Sequence, residues 1–173
     1  MRSSASTTGL AAFFKPVRVV NVSQGQVIDG GLRPLSFRIE RDNGKIDSAN
    51  FDWQSATVTL SNGRDFPLEP GAQDMLSMFG QLAMLLGDRS VLSLPVVTGK
   101  KLERYDFVVL GEEKIMTPRG ERPTVHLRSG QADDKESTDV WLGLEDARLP
   151  VKIRYVDRRH DVYEQIAESI EFE

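Results

Sequence analysis

Histidine, cysteine and carboxylates carry most protein chemistry, and the chain is sparing with the first two. It has two histidines, His126 and His160, and no cysteine. Without cysteine there is no disulfide, thiol nucleophile, zinc–thiolate site or iron–sulfur cluster. His126 sits in Thr124-Val125-His126-Leu127-Arg128 and shares parity with polar neighbours, so it is expected to face outward. His160 falls in a turn. Neither has a histidine or carboxylate at metal-binding spacing. The carboxylate pairs Asp133-Asp134, Glu145-Asp146 and Glu112-Glu113 lie in polar surroundings or at a strand end, where acid–base work is not expected. There is no Gly-x-Ser-x-Gly and no glycine-rich phosphate loop. The chain therefore reads as a non-enzyme, with no catalytic residue, metal site or cofactor. Lys152, Arg154, Arg158 and Arg159 form a basic cluster that could meet an anionic headgroup, although Asp157 and Asp161 stand among them.

The apolar residues suggest more. Met75, Met78, Phe79 and Met84 bring deformable thioethers and a ring to one segment, with Leu82 on the same stripe, and Trp53 and Trp141 fall in expected strands. Met75, Met78, Phe79, Leu82, Trp53 and Trp141 are the candidate ligand-binding residues. The competing reading is a plain core made of the same side chains.

The elements that would position them follow from period. Leu35, Phe37 and Ile39 alternate with polar residues, as do Ala56, Val58 and Leu60, then Tyr105, Phe107 and Val109, then Val151, Ile153 and Tyr155. Period two with one wet face means antiparallel sheet. Asn62-Gly63 predicts a two-residue type I′ hairpin. Asp42 to Lys45, Thr117 to Gly120 and Asp157 to Asp161 predict further turns, and Gly130 to Glu136 a solvated loop. From Met75 to Leu86 the period becomes helical, which predicts a helix over about 72–87, preceded by Pro70-Gly71 and closed by Gly87. Its outer face (Gln73, Ser77, Gly80, Gln81, Met84) carries almost no charge, which points to cover on more than one side or to an open groove. The expected architecture is one strongly curved, mostly antiparallel sheet of about eight to ten strands, closed on its concave side by this helix.

The chain has 173 residues, expected to be one domain, 1–173, with 1–8 disordered. Its net charge is 22 − 26 = −4 with mixed signs, which argues against nucleic acid as a partner. No stretch is long and apolar enough for a membrane-spanning helix, and Met1 to Ser4 opens no signal sequence.

Gly30-Gly31-Leu32-Arg33-Pro34, Phe51-Asp52-Trp53, Pro67-Leu68-x-Pro70-Gly71-Ala72-Gln73-Asp74, Leu92 to Val97, Gly99 to Glu103 and Leu149 to Tyr155 together resemble the bacterial domain-of-unknown-function family numbered 3108. The resemblance runs from about Gly9 to Ile170. The last strands are also similar to those of outer-membrane lipoprotein carriers. The resemblance implies a periplasmic protein of half-barrel type and carries over no site residues. It points to a lipid or other apolar ligand in the concave face, or alternatively to a ligand-free envelope interaction module with a filled core and a protein partner. Two departures stand out. The signal sequence and about two strands usual before Gly9-Leu10 are missing, which would expose a sheet edge for a homodimer. His160 stands where the family's last hairpin usually has glycine.

Overall fold

The computed structural model describes residues 1–6, 18–130 and 136–171. The chain is mainly β with one helix, as the alternation predicts. Its elements are β1 (Arg2–Ser6), β2 (Arg18–Ile28), β3 (Gly31–Arg41), β4 (Ile46–Asp52), β5 (Thr57–Leu60), β6 (Asp65–Pro67), β7 (Gln73–Asp74), α1 (Ser77–Leu85), β8 (Val91–Val97), β9 (Leu102–Thr117), β10 (Gly120–Ser129), β11 (Ser137–Gly143), β12 (Pro150–Val156) and β13 (Val162–Ile166). Where one sheet was expected there are two. β1 to β6 pair in chain order as an antiparallel meander, and β13 to β7 form a seven-stranded sheet that curls as a half-barrel. Just past β6 the Leu68 N–H donates to Ala56 O at 2.8 Å, and the chain then turns at Pro70-Gly71, where Gly71 has φ 75°. Residues 2–6, expected to be disordered, form β1. Residues 7 and 8 lie outside the described residues.

The chain, expected as a single domain, clusters into two compact units, Met1–Gln81 with Leu94–Arg104, and Leu82–Ser93 with Tyr105–Glu173. The first unit buries Phe37, Ala49, Phe51, Val58, Leu60, Leu68, Ala72 and Val97 against one another. The second buries Phe107, Val125, Leu127, Val140, Leu142 and Val151. Each of the Val, Leu and Phe side chains contributes about 1.5–3 kcal/mol when fully withdrawn from water, the alanines less.

The helix begins five residues later than its period suggests. Gln73 and Asp74 are taken by a short parallel pairing with Val96 and Val97. Asp74 then caps the helix: its Oδ1 accepts the N–H groups of Leu76 and Ser77, each at 2.8 Å, while Ser77 Oγ accepts the N–H of Asp74 at 2.9 Å. The charge-poor outer face is explained within the first unit. Gln81 Oε1 accepts the N–H of Leu32 at 2.6 Å, and Gln73 Nε2 donates to the Leu32 carbonyl at 2.8 Å. Two buried amides thus serve backbone groups at the start of β3, where Lys or Glu would be left uncompensated.

Three of the hairpins share one geometry. At Asn62-Gly63 only the glycine has positive φ (79°), so the turn is not type I′. Gly63 N–H donates to Leu60 O and Leu60 N–H to Arg64 O, a type I turn closed by a left-handed residue. Arg41 to Lys45 repeats this with Gly44 (φ 73°), and Asp157 to Asp161 repeats it with His160 (φ 64°).

Candidate functional site

Strand register sorts the second unit's strands into two faces. Directly opposed residues point the same way. His126 opposes Trp141, Arg128 opposes Asp139, and Thr124 opposes Glu113. On the other side of β11, Trp141 opposes Lys152 and Asp139 opposes Arg154. Glu113, His126, Arg128, Asp139, Trp141, Lys152 and Arg154 therefore share the face opposite the apolar core of Leu127, Val140 and Leu142.

Asp139 is the centre of this polar layer and has 0% exposure. Its Oδ1 lies 2.7 Å from both His126 Nε2 and Arg128 Nε, and Arg154 Nη1 approaches Oδ2 at 3.5 Å. Burial pushes the Asp139 carboxyl up, but the hydrogen bonds and charges of Arg128 and His126 outweigh it and hold the group below the usual carboxylate value. His126 Nδ1 lies 2.9 Å from Glu113 Oε1, which also accepts the Trp141 Nε1 proton at 2.7 Å. The imidazole stacks on Trp141 with centroids 4.3 Å apart, and Lys152 Nζ lies 5.0 Å from the indole centroid. His126, expected as an exposed residue, is on the outward face but enclosed. Gly111 opposes it on β9, and the cover comes from the Trp141 ring on β11 and from the Glu113 and Asp139 carboxylates at its two nitrogens.

Both ring nitrogens of His126 face carboxylate oxygens, so neither is open to take a proton from a substrate. The basic residues are likewise engaged. Lys152 pairs with Glu164 at 2.9 Å, Arg158 with Glu136 at 2.9 Å, and Arg159 with Asp157 and Asp161. That leaves little net charge for an anionic headgroup.

A family model described as "Protein of unknown function (DUF3108)" matches residues 1–158. The chain is a member of that family. No curated protein and no solved structure matches it. The whole polar cluster up to Arg154 lies inside the match to the DUF3108 family, and β13 lies beyond it.

The residues singled out from the sequence are distributed between the units. Trp53 and Met75 pack against the first unit's core, with Trp53 Nε1 donating to Pro34 O at 2.6 Å and Arg33 over its ring. Met78 and Phe79 are buried in the first unit, and Leu82 in the second. Trp141 belongs to the polar layer. Two open depressions, of about 250 and 420 Å³, are lined by other residues; the larger presents Gln24, Ser36, Arg38, Ser48 and Asn50. Among the described residues no group of histidine and acidic side chains could hold a metal. Asp133 and Asp134 lie outside the described residues. Asp146, expected in a polar loop, is buried and bonds Arg119 at 2.8 Å.

Proposed function

We propose that this chain is a non-catalytic module of the bacterial periplasm that works by contact with another envelope protein. The carrying observation is the filled core: Phe107, Leu127, Val140 and Leu142, which face inward from the half-barrel strands, are all at 0% exposure. A pocket for an acyl chain would leave such side chains partly accessible. The periplasmic location rests on the family resemblance. Exposed sheet edges, β1 among them, are surfaces where a second copy or a partner's strand could add.

A second reading keeps the apolar ligand. It is favoured by the curl of the second sheet and its uniformly apolar buried face. In that reading Leu82 and the other apolar side chains buried within the second unit give way on loading. Protein purified from a bacterial host without detergent, extracted with organic solvent and analysed by mass spectrometry beside the intact protein, separates the two. An unloaded mass and an empty extract are expected. Stoichiometric fatty acid or phospholipid would overturn the interaction-module reading in favour of the second.

A further inference from the structure

We propose that β13 exchanges between two copies of this chain, so that each copy's β13 completes the other's half-barrel edge. This rests on the reading of the chain as an interaction module and names one partner, a second copy.

The first observation is how lightly β13 is held. All five of its residues, Val162 to Ile166, are exposed. Among the described residues it pairs only with β12, in the register Lys152–Ile166, Ile153–Gln165, Arg154–Glu164, Tyr155–Tyr163 and Val156–Val162. Beyond that ladder the described residues give it the Lys152–Glu164 ion pair at 2.9 Å and a Tyr155–Tyr163 ring contact at 6.3 Å, and the Ala167 N–H just past it donates to Val151 O at 2.9 Å. None of these buries a side chain, so opening the strand costs little compared with opening any core strand.

The second observation is the hinge. Three hairpins in this chain use the same turn, and the closing left-handed position holds Gly44 in one and Gly63 in another. In the turn that joins β12 to β13 it holds His160, at φ 64°. A side chain there is strained in a way glycine is not. In the exchanged dimer every β12–β13 contact is remade between copies, and the only local change is that the hinge opens and sheds the strain. Strain in the closed turn together with weak adhesion of the strand favours exchange.

The slot also selects its occupant. Arg154 opposes position 164, and Lys152 reaches the Glu164 carboxylate, so the incoming strand needs an acidic residue in the middle. A second copy's β13 supplies it in the same register.

The absence of cysteine makes the test clean. Tyr155→Cys and Tyr163→Cys chains are prepared separately, mixed, warmed below the melting point and oxidised. Exchange predicts a covalent heterodimer on a non-reducing gel, with the 155–163 linkage identified by peptide mass spectrometry. A mixture that yields no such linkage overturns the proposal. In the cysteine-free chain, size-exclusion chromatography with light scattering over a concentration series should show a dimer. His160→Gly, which relaxes two hinges per dimer, should lower the association constant roughly tenfold or more. A dimer indifferent to His160→Gly would also refute exchange. A dimer built by adding edges together would survive that substitution without the 155–163 linkage, so failure of the exchange is distinguishable from failure of the interaction-module reading.

Discussion

Asp139→Asn isolates what the buried charge contributes to the second unit. The substitution keeps shape and one oxygen. Because His126 Nε2 and Arg128 Nε both meet Oδ1 at 2.7 Å, an asparagine oxygen can keep both contacts, and only the charge is lost. A hydrogen bond to a charged group is worth about 1.5–3 kcal/mol and a neutral one about 0.5–1.5, so two bonds lose about 2–3 kcal/mol together. The Arg154 contact at 3.5 Å adds little. The Arg128 side chain is 33% exposed, and water replaces part of what it loses. The net expectation is about 2 kcal/mol, or a fall in Tm of about 4–8 °C for a chain of this size. The pH dependence has a definite sign. The native Asp139 value lies below the ordinary 3.8, so its stabilisation is complete above that value and is lost as pH falls through the native one. Urea unfolding followed by tryptophan fluorescence, with circular dichroism as a second probe, should show the full gap between wild type and variant at neutral pH. The gap should close in acid. A gap below a few tenths of a kcal/mol at neutral pH, or one that persists unchanged in strong acid, would refute the account of Asp139 as an ionised hub.

Asp74 should behave in the opposite sense. Burial pushes its carboxyl up, against the hydrogen bonds from Ser23, Ser77 and Leu76, so its contribution is complete below the unfolded value and lost as pH rises through the native one. Asp74→Asn keeps the cap and should cost less than about 1 kcal/mol at neutral pH, whereas Asp74→Ala should cost about 1–2 kcal/mol; equal losses by thermal melting would contradict the assignment. Gly31 has φ 151°, and a Cβ there would overlap the Gln81 amide. Gly31→Ala should therefore destabilise by about 2 kcal/mol or more, and pairing it with Gln81→Ala in a double-mutant cycle should show strong non-additivity.

The strands were legible because one-sided burial imprints period two, but bulges limited how far parity could be trusted. Leu35 shares parity with Phe37 and Ile39, yet it is exposed while they are buried. The pairing passes from Gln24–Ser36 to Gly25–Pro34, so Leu35 is the extra residue of a bulge. A second bulge between Trp141 and Leu142 inserts Val151, and there Val151 is buried while Tyr155 of the same parity is exposed. Two sheets were mistaken for one because alternation records burial and not which neighbour supplies it. The helix was legible, but its start was not: Asp74 falls inside the helical period, and its role as a cap depends on the β7–β8 pairing. The polar cluster was missed for a similar reason. Asp139 and Trp141 share parity on β11, and His126 and Arg128 share parity on β10. An indole on the wet side of a strand was the available signal. Only the register across the β10–β11 hairpin shows that these four residues meet.

That register also bears on what a partner would touch. Asp139 is fully buried and Trp141 nearly so, each covered by side chains from the flanking strands. The rim is different: the Arg128, Arg154 and Glu113 side chains are about a third to a half exposed. Groups that hold the layer together and groups that can reach out of it are thus separate residues. If a partner docks on this face, Arg154→Ala should weaken capture while shifting Tm by only a degree or two, because its contact with Asp139 is long and half-solvated. Trp141→Ala should do the reverse, removing the surface on which His126 and Lys152 rest and lowering Tm by about 6 °C or more. The discriminating measurement is paired, with thermal melting and partner capture on the same two variants. Equal effects of Arg154→Ala and Trp141→Ala on Tm would show that the rim belongs to the scaffold, and a partner would then have to be sought at the sheet edges.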